Sequence, residues 1–154
     1  MSYLLDTCVV SEFGRPRPDP GVVQWLGQQK PDALYLSEVT VAELSAGLVK
    51  LRIKDPGRAQ KLDVWLSGVL LRFAGNTLGT DESVWQVWAE LSGTADAAGK
   101  TVAPLDGLLI ATAQRYGLTV VTRNVSDFAI YPQVFNPWQD KLPRARLAID
   151  KSDA

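Results

Sequence analysis

The sequence predicts an α/β domain in which a small parallel sheet is covered by helices. Two observations carry this. Strand-like and helix-like segments alternate along the chain, and the links between them are short, the pattern of parallel sheets with helical crossovers. Length sets the scale: 154 residues, 46% hydrophobic and 21% charged, suffice for one domain with a sizeable core, and no repeat or internal linker divides them.

Each element has its own signal. Tyr3 to Leu5 is a short apolar strand running into Asp6, which is placed to cap a short helix starting at Thr7 or Cys8. Beyond the turn from Pro16 to Pro20, Val22, Val23, Trp25 and Leu26 predict a second helix, and Leu34 to Leu36 a second strand. Val41, Ala42, Leu44, Leu48 and Leu51 then recur at helical spacing, with Thr40 and Glu43 matching a capping box in the first turn. Leu62, Trp65, Leu66, Val69, Leu70 and Phe73 mark another helix after Pro56, so the two form a hairpin. Asp81 reads as the N-cap of a helix carrying Val84, Trp85, Val87, Trp88 and Leu91 that closes near Gly99. Pro104 opens the next helix, whose buried side holds Leu105, Leu108, Leu109, Ala111 and Thr112 until Gly117 ends it. Leu118 to Val121 is a β-branched strand, and a short strand near Val134 and Phe135 completes a domain spanning residues 1–140. Residues 141–154, with Pro143, Arg144 and Arg146, have little to bury and read as a frayed or partner-binding arm.

Composition removes several function classes. The chain has no histidine, so any reaction it runs relies on carboxylates, hydroxyls, the single thiol of Cys8 or a bound ion. One cysteine without histidine offers neither an internal disulfide nor a zinc cage. No apolar run approaches the ~18 residues of a membrane helix and no leader pattern opens the chain, so a cytoplasmic protein with no membrane partner is expected. A net charge of −1 excludes nucleic-acid binding by bulk electrostatics; such a role needs a local patch and a metal. Arg15 and Arg17 form one candidate patch, and Lys50, Arg52, Lys54, Arg58 and Lys61 another, although solvated faces explain both as well.

The acids form the most informative set. Asp6, Glu43, Asp106 and Asp127 all map near strand carboxyl ends or helix amino ends, which share one side of a parallel sheet and converge on one pocket. Singly, each has a structural explanation: capping for Asp6 and Glu43, the helix dipole for Asp106, a turn with Ser126 for Asp127. Together they repel, and some must hold protons unless a hard cation such as Mg²⁺ sits among them. Magnesium takes oxygen ligands, commonly one or two carboxylates directly and the rest through water.

The stretches LLDTCVVSE at the start, LSEVTVAEL around Glu43, APLDGLLIATAQRYGLTVVTRN from Ala103 and FNPW from Phe135 resemble the PIN-domain ribonuclease toxins of bacterial toxin–antitoxin systems, the VapC family, and especially its FitB-like branch. The likeness runs from Tyr3 to about Trp138. It implies the PIN-domain fold, a small parallel sheet sandwiched between helices. By position it makes Asp6, Glu43 and Asp106 the first three acids of the catalytic site, with Asp6 and Asp106 as direct Mg²⁺ ligands and Mn²⁺ as a substitute. The fourth polar position falls in TRNVSDF, where the FitB-like pattern has an acid after the Thr-Arg pair; here Asn124 stands there, and Asp127 is the alternative source of charge. Thr7 and Thr122 would orient the site, and Arg15, Arg115 and Arg123 are candidate phosphate contacts.

The activity so implied is metal-assisted hydrolysis of RNA leaving 5′-phosphate and 3′-hydroxyl ends. The implied partners are a DNA-binding antitoxin, whose segment would lie in an apolar groove near Leu44 to Phe73, and a second copy of the chain in a homodimer. Two rival readings are a nuclease of another target, such as DNA or an RNA precursor, and a non-catalytic binder in which Asn124 marks a lost acid.

Overall fold

In a computed structural model of the chain, residues 1–140 are described, and the arm expected at 141–154 lies outside the described residues. Five short strands, β1 (Tyr3–Leu5), β2 (Leu34–Ser37), β3 (Thr77–Leu78), β4 (Thr119–Val121) and β5 (Val134–Phe135), form a sheet in the order β3-β2-β1-β4-β5. Every neighbouring pair is parallel. The helices are α1 (Thr7–Glu12), α2 (Pro20–Gly27), α3 (Glu38–Lys54), α4 (Pro56–Arg72), α5 (Glu82–Ala97) and α6 (Pro104–Tyr116). Among the described residues no helix is long and apolar enough to cross a membrane.

Strand alternation assigns both faces of the sheet. Leu5 and Val121 pack with Val9, Val10, Val22 and Leu36, while their neighbours Leu4 and Val120 pack on the other face with Leu109, Ile110 and Phe128. Successive side chains of a strand point to opposite faces, so an all-apolar strand is stable only between two helical layers. Helix α6 lies deep in one layer. Its residues from Gly107 to Ala113 are all buried, and Trp88 of α5 sits so close that a Cβ on Gly107 would meet its Nε1 at 3.1 Å. The helix ends at Gly117, whose φ of 66° is the left-handed conformation that glycine adopts without steric cost.

The predicted helical hairpin is present with a one-residue link. Asp55 closes α3 and caps α4, accepting the Arg58 N–H at 3.1 Å, and Leu48, Ala59 and Leu66 bury the seam. The start of α3 corrects the sequence reading. Ser37, at the end of β2, already caps the helix by accepting the Val39 N–H at 3.1 Å, so strand passes directly into helix. The capping box at Thr40 and Glu43 does not form: Thr40 lies inside the helix, fully buried, with its hydroxyl 3.5 Å from the Leu5 carbonyl. Glu43 consequently lies in the second turn, not the first. Strand β3 had no signal, since two residues show no alternation; it is set by pairing with Leu36 and Ser37.

The chain leaves β1 on one side to build β2 and β3 and returns on the other side as β4. The carboxyl ends of β1 and β4 therefore flank the topological switch point, where open α/β sheets bind their ligands. At the far end of α1, Glu12 is buried at 3% exposure; its Oε1 accepts the Asp19 N–H at 2.6 Å, and its Oε2 has only the Arg15 guanidinium, at 3.5 Å. That contact pins the Pro-rich turn leading into α2. Glu12→Ala is expected to lower stability by about 1–3 kcal/mol through the unpaired Asp19 N–H, read as a lower urea midpoint at unchanged m-value.

Candidate active site

The first acid is built by strand pairing. Leu5 stands in register with Val121, and the Asp6 N–H continues the ladder onto the Val121 carbonyl at 3.0 Å. This brings Asp6 beside Thr122, far away in sequence. Asp6 is 8% exposed; its Oδ1 accepts the Thr7 N–H at 2.7 Å and caps α1, while its Oδ2 accepts the Thr122 hydroxyl at 2.7 Å. The Thr122 hydroxyl in turn accepts the Asn124 N–H at 3.0 Å. A hydroxyl has one proton to give, and with it committed to Asp6 the Thr122 oxygen acts as acceptor toward the Asn124 N–H.

Cys8 joins the same network, a role its sequence position two residues after Asp6 did not announce. Its Sγ lies 3.5 Å from Asp6 Oδ2 and accepts the Arg123 N–H at 3.4 Å. Burial pushes the Cys8 thiol up, against the opposing effect of the Arg123 N–H, and the Asp6 charge adds to the rise. It therefore stays a protonated donor to the carboxylate.

Glu43 enters from α3, and the Thr7 hydroxyl donates to its Oε1 at 3.0 Å, tying the first residue of α1 to the second turn of α3. Asp106 enters from the first turn of α6. Its carboxyl is pushed up to about 6 from an ordinary 3.8 by burial first, then by the charges of Asp6, Asp127 and Glu43. A helix amino terminus favours the ionised form, so burial and repulsion together outweigh the dipole. All four predicted acids thus act on one neighbourhood.

The fourth position has two claimants in the structure, as in the sequence. Asn124 and Asp127 are both exposed; Asp127 lies on the short 3₁₀ turn Val125–Phe128 that follows β4, and Asn124 immediately precedes that turn. The Asp127 N–H bonds the Asn124 carbonyl at 3.0 Å, which holds the two positions close together. Asn124 makes no side-chain cap bond, whereas the charge of Asp127 reaches Asp106.

The candidate arginines separate. Arg15 is paired with Glu12. Arg115 donates to Ser83 at 3.0 Å and stands over Tyr116, at the opposite end of α6 from Asp106, roughly 14 Å along the axis. Arg123 follows Thr122 directly and stacks on Trp138 at 4.9 Å from the ring centre, a contact that no sequence signal revealed beyond the FNPW stretch itself. Among the described residues no three acids or thiols form a ready cage for an ion, so the donor set on offer is one or two carboxylates with water completing the shell. A separate cavity of about 480 Å³ between α1, α2 and α4, lined by Glu12, Phe13, Val23, Trp65 and Arg72 among others, holds none of the four acids.

The PIN-domain family model matches residues 3–131. The chain belongs to the PIN-domain family. Among its PIN relatives, Toxin FitB of Neisseria gonorrhoeae is 41% identical over 89% of this chain and 99% of its own length. The VapC ribonuclease Y4jK of Sinorhizobium fredii is 37% identical over 88% of this chain and 97% of its own. The crystal structure of FitAcB from Neisseria gonorrhoeae superposes with a TM-score of 0.82 at 41% identity, covering 90% of this chain and 99% of that one. The parallel sheet covered by helices is thus that of a PIN domain, as the sequence reading expected.

Two measurements probe this geometry. In the unfolded chain Asp106 ionises near 3.8 and in the folded protein near 6, so the folded state holds more protons between those values and stability falls as pH rises through that window, then levels. Asp106→Asn is therefore expected to raise Tm at neutral pH in EDTA by about 2–4 °C, about 1 kcal/mol after discounting for exposure, and to leave Tm unchanged below pH 4. Thr122→Val, which strips Asp6 of a donor and leaves the Asn124 N–H unpaired, is expected to lower stability by about 1–3 kcal/mol, with Thr122→Ser close to the parent by denaturant titration.

Proposed function

We propose that the protein is a Mg²⁺-dependent endoribonuclease, the toxin of a type II toxin–antitoxin system, acting in the cytoplasm. The observation that carries this reading is the raised Asp106 carboxyl among Asp6, Asp127 and Glu43. An acid pushed up by burial and by three other carboxylates at a switch point is a poor structural device and a good cation site. The names of the relatives, toxin and ribonuclease, support the class.

The donors fit a hard cation: the charged side chains acting on Asp106 are all carboxylates, and no histidine exists in the chain. Asp6 and Asp106 would hold Mg²⁺, or Mn²⁺ in its place, which supplies Lewis acidity toward the phosphate. The remaining work belongs to the protein. Thr122 and the Thr7 N–H lock the Asp6 rotamer. Glu43, held by the Thr7 hydroxyl, or Asp127 orients the attacking water and takes its proton. Water oxygen bonds to phosphorus as the bond to the 3′ oxygen breaks, and that oxygen takes a proton from solvent water as it leaves, giving 5′-phosphate and 3′-hydroxyl ends. Attack by the RNA's own 2′-hydroxyl is disfavoured because it needs a base and an acid near neutrality, the usual task of histidine.

An antitoxin partner accords with the solved FitAB complex bound to an IR36 DNA fragment, 37% identical with a TM-score of 0.81 over 90% of this chain and 97% of that one. Apolar side chains left exposed on the α3–α4 hairpin, Ile53, Val64 and Leu71, offer surface for such a partner or for a second copy of the chain.

The full chain, purified free of partner, is expected to cut RNA with Mg²⁺ or Mn²⁺, to stop in EDTA, and to lose about 100-fold or more in Asp6→Asn and Asp106→Asn. Asp127→Asn should weaken cleavage by about 10-fold or more while Asn124→Ala changes it little. Activity surviving the first two substitutions would sink the site, and inactivity of the parent with intact partner binding would establish the non-catalytic reading.

A further inference from the structure

An RNA phosphate approaching this pocket meets four acids on a chain with no positive surplus, so a fixed local cation is needed to draw it in. Of the three candidate arginines the fold leaves one for that task. Arg15 is ion-paired and Arg115 lies at the wrong end of α6, while Arg123 makes no ion pair among the described residues. Its backbone is fixed against the pocket: the preceding Thr122 hydroxyl bonds Asp6, and its own N–H bonds Cys8.

Its side chain is ordered by stacking. The guanidinium lies 4.9 Å from the centre of the Trp138 ring, and Trp138 is itself immobilised. The Trp138 N–H donates to Asn136 Oδ1 at 3.0 Å, the Asn136 N–H donates to Asp140 at 2.8 Å, and Asn136 is 4% exposed. The Thr122 N–H bonds the Phe135 carbonyl at 3.0 Å, so this turn is laced to the same strand end that carries Asp6's partner. The indole packs against the core cluster of Leu5 and Val121. A guanidinium on an aromatic face keeps its in-plane N–H donors available, whereas a carboxylate pair would occupy them. Stacking also removes rotamer freedom that binding would otherwise have to remove.

We propose that Arg123, stacked on Trp138, binds a backbone phosphate of the RNA beside the acid cluster, with Trp138 as its positioning residue. This rests on the nuclease reading above. Arg123 is the contacting group; Trp138 acts through it.

The test uses the full chain carrying Asp106→Asn, binding a fluorescein-labelled oligouridylate by anisotropy over a salt series. Arg123→Ala is expected to weaken binding about 3–10-fold at low salt and to reduce the magnitude of the log–log salt slope by about 0.7, the signature of one lost phosphate contact on a single strand. Arg123→Lys should keep the slope. Trp138→Leu should weaken binding about 2–5-fold, Trp138→Phe should match the parent, and the Arg123→Ala, Trp138→Leu double variant should be no weaker than Arg123→Ala alone. An unchanged slope in Arg123→Ala, or additive losses in the double variant, would show that the pair only fastens the C-terminal turn and would overturn the inference while leaving the nuclease reading intact. A parent that binds no oligonucleotide at any salt overturns both.

Discussion

Everything at the site depends on the parallel pairing of β1 with β4. Each strand is three residues long, and neither carries chemistry within itself. Their register nonetheless determines that Asp6 meets Thr122, because a slip of one residue would invert every side chain and put Leu5 and Val121 on the wrong face. The hydrophobic alternation that fills two helical layers is thus the same constraint that aligns a carboxylate with a buried hydroxyl. Packing and site geometry are set by one registration, and neither can drift without the other.

Around that fixed point the molecule accepts an electrostatic conflict. Asp106 ionises with difficulty because it is partly buried among three other acids, against the preference of its own helix terminus. Neutral side chains in those places would relieve the strain, so the arrangement persists at the expense of stability, as functional sites commonly do. The fold offsets it locally. Asp6 has backbone and hydroxyl donors, Glu43 has the Thr7 hydroxyl, and Cys8 remains a neutral thiol beside them.

Much of this was legible in the sequence, for identifiable reasons. Strands with continuous apolar runs, Pro104 and Gly117 bracketing α6, and Asp81 capping α5 are local signals with local causes, and the structure keeps them. The acids were legible as a set because a parallel sheet gathers strand ends on one side. What failed was fine placement. Thr40 and Glu43 matched a capping pattern, but Ser37 lay three residues earlier at a strand end and took the role, moving Glu43 to the second turn. Strand β3 was too short to carry a period, and the stack of Arg123 on Trp138 joins segments related only through the β4–β5 pairing.

The same reasoning explains how an asparagine at position 124 is compatible with an acidic site. Asn124 stands just before the 3₁₀ turn and Asp127 is its third residue. The Asp127 N–H to Asn124 carbonyl bond is the hydrogen bond of that turn, and it holds the two positions in this relation. The charge of Asp127 is within reach of Asp106, where its effect is felt. Asn124, freed of the charge, keeps a backbone role: its N–H satisfies the Thr122 hydroxyl, which in turn holds Asp6. A neutral residue at 124 also removes one carboxylate from the immediate neighbourhood of Arg123, leaving that guanidinium to stack on Trp138 rather than pair with an adjacent acid.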